Sequence, residues 1–214
     1  MKERYAIYGT GGFAREVLGP LRAATSVVSE AHGCPEIVFI DDDIEKQNTR
    51  VQDIDVVSYE WARENKFNIC IAISDHIIRK NIAEICVNDN LSFFSVISDN
   101  LKSYQNVFIG PGSIICDNVL IATDVTIGSH FHANYYSYVA HDCVIGDFVT
   151  FAPRVCCNGS VRIGDGAYVG TGAFLKQGIS IGDEAVIGMG AVVTKDVAPK
   201  TTVVGNPARP IPQR

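Results

Sequence analysis

The chain has no apolar run close to the roughly 18 residues that a membrane-spanning helix needs. It has no surplus of positive charge either. Its 18 Lys and Arg stand against 24 Asp and Glu, a net charge of −6, which argues against a general nucleic-acid binder, because phosphate contacts need Lys and Arg in excess. No Cys-x-x-Cys pair occurs. The seven cysteines are an odd count and Cys156 and Cys157 are adjacent, poor geometry for a structural bridge. Met1–Arg4, then Tyr5–Tyr8 and glycines, lack the apolar stretch of a signal peptide. The expectation is a cytoplasmic protein with reduced thiols and no membrane contact. An apolar share of 47% with 20% charged residues over 214 residues excludes global disorder and a collagen-like chain and allows one or two domains. Glycine is in excess: 19 residues, about 9% against a usual ~7%.

Two periodicities divide the sequence. Up to about Ser98, short apolar runs at Tyr5–Tyr8, Ile37–Ile40, Ile69–Ile73 and Phe93–Ile97 read as buried strands. Helical patterns lie between them at Phe13–Ala24, Ser58–Lys66 and His76–Val87. Pro20 should kink or end the first helix. The third has Ser74 or Asp75 as its N-cap and Ile78, Ile82, Ile85 and Cys86 on one face. Alternating strands and helices predict a small parallel βαβ sheet over residues 1–98.

From residue 99 to 214 a hexad takes over. Every sixth residue from Ile109 to Val193 is apolar, fifteen in succession, against a chance of roughly 10⁻⁵ at the background frequency. Seven of the glycines follow in the next phase, at 110, 128, 146, 164, 170, 182 and 188. Such a repeat predicts a parallel β-helix with three hexads per coil, one large side chain inside per strand and a small residue at each corner. β-sandwich strands, the alternative, would alternate with period two. Charge follows the same division: −5 over residues 1–98, −4 over 99–153 and +3 over 154–214. The late coils, with Arg162, Lys176, Lys195 and Arg209, form a basic end.

Gly9-Thr10-Gly11-Gly12-Phe13-Ala14 joins the first strand to the first helix. Glycines there admit phosphate to backbone N–H groups and a helix N-terminus, although a plain strand-to-helix turn reads the same way. Asp41-Asp42-Asp43 follows the second strand, where carboxylates can accept from a ribose or base. Among the five histidines His141 stands out, at a corner past Val139 and next to Asp142; a carboxylate that fixes its tautomer would make it a general base, and a solvated turn histidine is the alternative. Eighteen residues on, one coil away, Gly159 offers an unshielded N–H for an oxyanion. His130 and His132 invite a metal reading, but with His141 they lack the ligand spacing of the zinc-dependent β-helix enzymes, so no metal is expected. Tyr135, Tyr136 and Tyr138 fit a sugar pocket or a subunit seam equally.

The hexads ending in Val203-Val204-Gly205-Asn206-Pro207-Ala208 resemble the left-handed β-helix acyltransferases. With "IYGTGGFARE", "FIDDD", "IAISDHIIRK" and "VAHDCVIGDF", the chain is similar to the nucleotide-sugar acetyltransferases of the sialic-acid O-acetyltransferase-like family, those that N-acetylate 4-amino sugars of the bacillosamine, viosamine and perosamine kind. The resemblance implies acetyl-CoA as cosubstrate and a nucleotide-linked 4-amino-4,6-dideoxy sugar as acceptor, TDP- or UDP-linked by preference, for surface polysaccharide such as O-antigen. It also implies a homotrimer with active sites between subunits. By this likeness His141 and Asp142 are catalytic, Thr150, Gly159, Thr171 and Met189 meet acetyl-CoA, and Gly11, Gly12, Phe13, Asp41, Asp42 and Ser74 bind the nucleotide sugar. Phe13 and Thr150 stand where relatives often carry His, and Ser74 where they often carry Gly. A sugar O-acetyltransferase and a non-catalytic nucleotide-sugar-binding scaffold are the alternatives.

Overall fold

The computed structural model describes residues 3–32 and 34–212, without the side chains of 26–32; the His32 side chain therefore lies outside the described residues. The chain divides into two compact units, Met1–Asp99 and Asn100–Arg214.

The first unit runs β1 (Arg4–Tyr8), α1 (Gly12–His32), β2 (Glu36–Ile40), β3 (Arg50–Val51), β4 (Ile54–Val57), α2 (Tyr59–Glu64), β5 (Asn68–Ile71) and α3 (His76–Asn88). Its sheet has the order β3-β4-β2-β1-β5, parallel except for the β3–β4 hairpin. From β1 the chain builds outward through β2 and β4, then returns to the far side of β1 with β5. The carboxyl ends of β1 and β5 therefore flank a reversal of strand order, the position at which open α/β sheets bind ligands.

Three local expectations change and one element is new. Helix α1 continues through Pro20 to His32. Gly19 before the proline has no Cβ to clash with the ring, and buried Ala14, Val17, Leu18 and Leu21 hold both sides of Pro20 to the core. The β3–β4 hairpin turns on Gln52 and Asp53, both at positive φ, a primed turn without the Asn-Gly or Asp-Gly that usually announces one. Of Phe93–Ile97 only a bridge from Phe93 to Ile69 and the short strand Val96–Ile97 form. The buried face of α3 is Arg79, Ile82, Ala83 and Cys86, turned so that Ile78 and Ile85 are half exposed. The cap of α3 is Asp75, whose carboxylate accepts from the N–H groups of Ile77 and Ile78.

The second unit is a three-faced parallel β-helix. One face stacks six strands from Lys102–Ser103 to Val192–Val193, and the second stacks five from Val107–Ile109 to Ser180–Ile181. The third carries Ile114–Ile115 through Thr202–Val204, and Arg209–Pro210 closes it antiparallel. Partners are offset by 18 residues, as in Leu120↔Tyr138 and Tyr138↔Cys156. The apolar frame from Ile115 to Val193 lies inside.

Each hexad proves to have two further specialised positions. A second inward residue, four past the first, buries Val119, Val125, Phe131, Cys143, Val149, Val155 and Val161 in the same core. The left-handed corner residue is also distinct from the small one. It recurs every sixth position as Asn118, Asp124, His130, Tyr136, Asp142, Phe148, Arg154 and Ser160, all at positive φ. The small residue is required by crowding between coils: a Cβ on Gly110 would meet the backbone of Gly128 and Ser129 at 2.6 Å. On the corner between the second and third faces, aspartates form a ladder. Asp147 accepts from the Ser129 N–H, Asp165 from Asp147 and Asp183 from Asp165, at 2.6, 2.8 and 3.1 Å.

Candidate active site

His141 occupies the corner between strands Tyr138–Val139 and Val144–Ile145. Asp142 is the left-handed residue of that corner, φ 59°. This turn folds the carboxylate back toward its neighbour, so that Asp142 Oδ2 lies 2.7 Å from His141 Nδ1. The corner backbone is pinned to the coils on either side. Asp142 N–H donates to Thr123 O at 3.2 Å and Ser160 N–H to His141 O at 2.8 Å. Both side chains remain open to solvent, 49% and 59% exposed.

Gly159 lies directly beneath the imidazole. A Cβ there would fall 2.6 Å from His141 Cε1 and 2.7 Å from Nε2. The Gly159 carbonyl accepts from the Gly178 N–H at 2.9 Å, whereas no group among the described residues takes the Gly159 N–H. Behind the corner Cys143 is buried. Its Sγ is 3.2 Å from Asn158 O, 3.7 Å from His141 O and 3.9 Å from Cys157 Sγ. Hydrogen bonding to Cys143 and burial push the Cys157 thiol well above its usual range; the same contact acts on Cys143 to lower it.

The other residues expected at coenzyme A lie elsewhere on the chain. Thr171 and Met189 stack on the corner between the third and first faces, joined by Gly190 N–H to Thr171 O at 2.8 Å, and Met189 is 81% exposed. Thr150 is on the third face between His132 and Tyr168 and only 3% exposed. Within one chain, then, the β-helix brings together His141, Asp142 and Gly159. The basic residues Lys195 and Arg209 line a cavity of about 510 Å³ beside Val193, Val203 and Pro210. His130 and His132 are buried, with the His130 ring stacked on Phe148 at 4.9 Å. Among the described residues no three His, Cys, Asp or Glu side chains converge on a metal position.

In the first unit, every residue expected at the nucleotide sugar lies at a strand's carboxyl end. Of Gly9, Gly11 and Gly12, Gly9 alone takes the left-handed φ, 107°, and a Cβ there would meet Ala72 O and Ile73 Cγ1 beyond β5 at 3.4 Å. A Cβ on Gly11 or Gly12 would meet nothing within 4 Å, so neither crowding nor φ demands glycine there. The turn itself calls for glycine only at Gly9. Phe13 follows in the first turn of α1, half-buried, and Ser74 is exposed in the β5–α3 turn.

The aspartates differ in role. Asp41 is an internal brace: its carboxylate accepts from the Thr10 hydroxyl, from the Asp43 N–H at 3.0 Å and from Lys46 Nζ at 3.1 Å. Burial works to raise its pKa, but these hydrogen bonds outweigh it and hold the carboxyl below its ordinary value. Asp42 is exposed and accepts from the Tyr8 hydroxyl at 2.7 Å. Thr10, Tyr8, Arg79 and Cys143 escaped the sequence reading. Arg79 is fully buried on α3 and donates to the carbonyls of Ile73 and Ser74 at 2.6 and 3.2 Å, a contact no periodicity signals. Burial lowers its pKa to about 10.

Comparison with known proteins agrees with both units. Residues 4–86 match the PglD N-terminal domain, and residues 156–195 match the hexapeptide repeat of succinyl-transferase. GDP-perosamine N-acetyltransferase of Escherichia coli O157:H7 is 41% identical over 178 residues, 82% of this chain and 79% of that one. Among solved structures, WeeI from Acinetobacter baumannii AYE superposes with a TM-score of 0.90 at 39% identity, covering 98% of this chain and 100% of its own. PerB from Caulobacter crescentus, in complex with CoA and GDP-perosamine, gives 0.85 at 26% identity over 98% of this chain and 97% of its own. The β-helix is of the left-handed kind found in these acetyltransferases.

Proposed function

The chain belongs to the acetyl-CoA-dependent nucleotide-sugar acetyltransferases that join a PglD N-terminal domain to hexapeptide repeats, and we propose that it N-acetylates the 4-amino group of a GDP-linked 4-amino-4,6-dideoxy sugar. One observation carries the chemistry: an imidazole fixed by Asp142 on one side and seated on Gly159 on the other. Since an ionised Asp142 only accepts, Nδ1 carries the hydrogen and the Nε2 lone pair is left as the base. His141 takes the proton of the attacking amine as the C–N bond forms and the C–S bond of the thioester breaks, then returns it to the departing thiolate. The free Gly159 N–H faces the charge that develops on the thioester oxygen. No covalent enzyme intermediate is needed, so the kinetics are sequential.

The guanosine nucleotide is favoured over TDP or UDP because the relatives that match most of the chain and name a nucleotide name GDP, whereas the UDP-N-acetylglucosamine O-acyltransferases match only 35–49% of it. Gly11, Gly12 and Phe13 at the start of α1, with Ser74 and Asp42 at the neighbouring strand ends, bind it. Thr150, Thr171 and Met189 are assigned to coenzyme A. The separation of Thr171 and Met189 from His141 supports a homotrimer in which each groove draws one corner from each of two β-helices. Outward-facing Phe108, Val144, Phe174 and Val186 are exposed on a single chain and fit such packing. Among the described residues no helix is long and apolar enough to cross a membrane; we place the enzyme in the cytoplasm, beside its two substrates.

The test is a panel of GDP-, UDP- and TDP-linked 4-amino sugars incubated with acetyl-CoA, followed by mass spectrometry of the product. An alkali-stable amide formed on the GDP sugar, with turnover reduced by about 10²–10⁴ in His141→Ala, is the expected result. An alkali-labile ester would identify an O-acetyltransferase, no turnover with any sugar a binding scaffold, and an undiminished His141→Ala would remove the base.

A further inference from the structure

We infer that Cys143 is a positioning residue for the oxyanion-binding peptide, its thiol hydrogen-bonded to the Asn158 carbonyl on the side opposite the Gly159 N–H. The inference rests on the reading of His141 and Gly159 given above.

The Asn158 carbonyl and the Gly159 N–H belong to one planar trans peptide and point in opposite directions. Whatever holds the oxygen therefore aims the hydrogen. Cys143 Sγ lies 3.2 Å from Asn158 O, inside the β-helix, so the N–H of the same peptide is directed away from the core. The residue that carries this carbonyl is tied down separately. Asn158 donates to Leu175 O through its backbone at 3.3 Å and its side chain at 2.7 Å. A donor at the carbonyl also polarises the peptide and makes its N–H a stronger donor, the cooperative effect of linked hydrogen bonds.

The corner shows that this thiol is not a packing requirement. At the same position one coil earlier, one coil later and two coils later stand Val125, Val161 and Ile179, all buried. Only the coil that carries His141 replaces the branched aliphatic with a group that can donate. The same sulfur is 3.7 Å from the His141 carbonyl, so it touches both the His141 backbone and the peptide that joins Asn158 to Gly159. The hydrogen bond from Cys157 lowers the Cys143 thiol to about 7, so the donating S–H form is the one present below that pH.

Cys143→Val and Cys143→Ser decide the matter, assayed below pH 7 so that the thiol of the parent enzyme stays protonated. Valine installs the residue of the adjacent coils and removes the donor; serine keeps a donor of similar reach. The expected result is kcat lowered about three- to tenfold in Cys143→Val. KM for both substrates and the thermal midpoint should change little, and Cys143→Ser should recover most of the loss. Equal kcat in the parent and Cys143→Val overturns the inference, as does equal loss in both variants, which would mark a packing effect. His141→Ala in the same assay separates the two readings. If it is inactive while both Cys143 variants match the parent, only the positioning role fails; if it is fully active, the site assignment itself fails.

Discussion

The imidazole of His141 rests on the Cα of Gly159, one coil further along the β-helix, with no room between them for a methyl group: a Cβ would come within 2.6 Å of the ring. Asp142 holds the opposite edge at 2.7 Å. A side chain half open to solvent is thus confined between a carboxylate and a bare stretch of backbone. Gly159 does not adopt the left-handed φ, so the glycine is there for the ring and not for the turn.

Gly159→Ala should therefore leave the fold intact and displace the base. The clash is with the end of a side chain that can swing outward, not with backbone. A shift of about 1 Å at a reacting group costs on the order of 10²-fold. We expect kcat to fall by about 10–10², with a thermal midpoint close to that of the parent. Steady-state kinetics beside a melting curve measure both, and an unchanged kcat would mean the ring position is unimportant.

Asp142→Asn tests the other edge. Asparagine tolerates the left-handed backbone at φ 59°, so the corner should fold. An amide can present either an oxygen or an N–H to Nδ1, and the tautomer that leaves Nε2 basic is no longer enforced. A loss of roughly 10–10² in kcat with little change in KM is expected from initial rates.

The sequence and the structure coincide most where a single physical requirement repeats. The inward frame from Ile115 to Val193 was legible because each coil imposes the same demand at the same phase. Gly110 and its equivalents were legible as small residues, but for an incomplete reason. Contact between coils and left-handed φ fall on different hexad positions, and bulky Tyr136, Phe148 and Arg154 in the left-handed position hide the second from view. In the first unit, Pro20 misled because Gly19 removes half of its steric conflict. The hairpin at Gln52-Asp53 gives no signal because it lacks the Asn-Gly or Asp-Gly pair that announces a primed turn. His141 and Gly159 could be paired by counting 18, since a solenoid turns sequence distance into vertical position. Tyr8, Thr10, Arg79 and Cys143 could not, because a hydrogen bond to a particular carbonyl or carboxylate leaves no period.

Tyr8→Phe deletes only the hydroxyl that donates to Asp42 at 2.7 Å. The buried ring stays in the sheet, so stability should hold. If Asp42 contacts the nucleotide, its loosened carboxylate weakens that substrate alone. One neutral-to-charged hydrogen bond corresponds to about three- to tenfold. KM for the nucleotide sugar should rise by that factor while KM for acetyl-CoA stays constant; a parallel rise in both would point to general damage.

Asp41 gives the first unit an acid-sensitive brace. Its carboxyl has a lower pKa folded than unfolded, so the folded state binds fewer protons. The resulting stability is fully present above the ordinary carboxylate pKa and is lost as pH falls through the lowered folded value. Asp41→Asn removes the titration. In urea unfolding followed by Trp61 fluorescence, the variant should be less stable than the parent at pH 7, and the gap should narrow as the buffer is taken below pH 4.

Two glycines of the β-helix separate the two demands that the hexad makes. Gly110 has ordinary φ, but a Cβ would strike the backbone of Gly128 and Ser129 at 2.6 Å. Gly172 has φ 67° and open space where a Cβ would go. Alanine at 172 should cost only the left-handed penalty, about 1–2 kcal/mol, which the chain already tolerates at Tyr136 and Arg154. Alanine at 110 must push two coils apart, and neither wall is a side chain that can rotate; overpacking of this kind costs typically ~1–3 kcal/mol and occasionally more. Gly110→Ala should accordingly lower the denaturation midpoint more than Gly172→Ala. The reverse order in parallel thermal melts would show that backbone conformation, not the spacing between coils, fixes where glycine is needed.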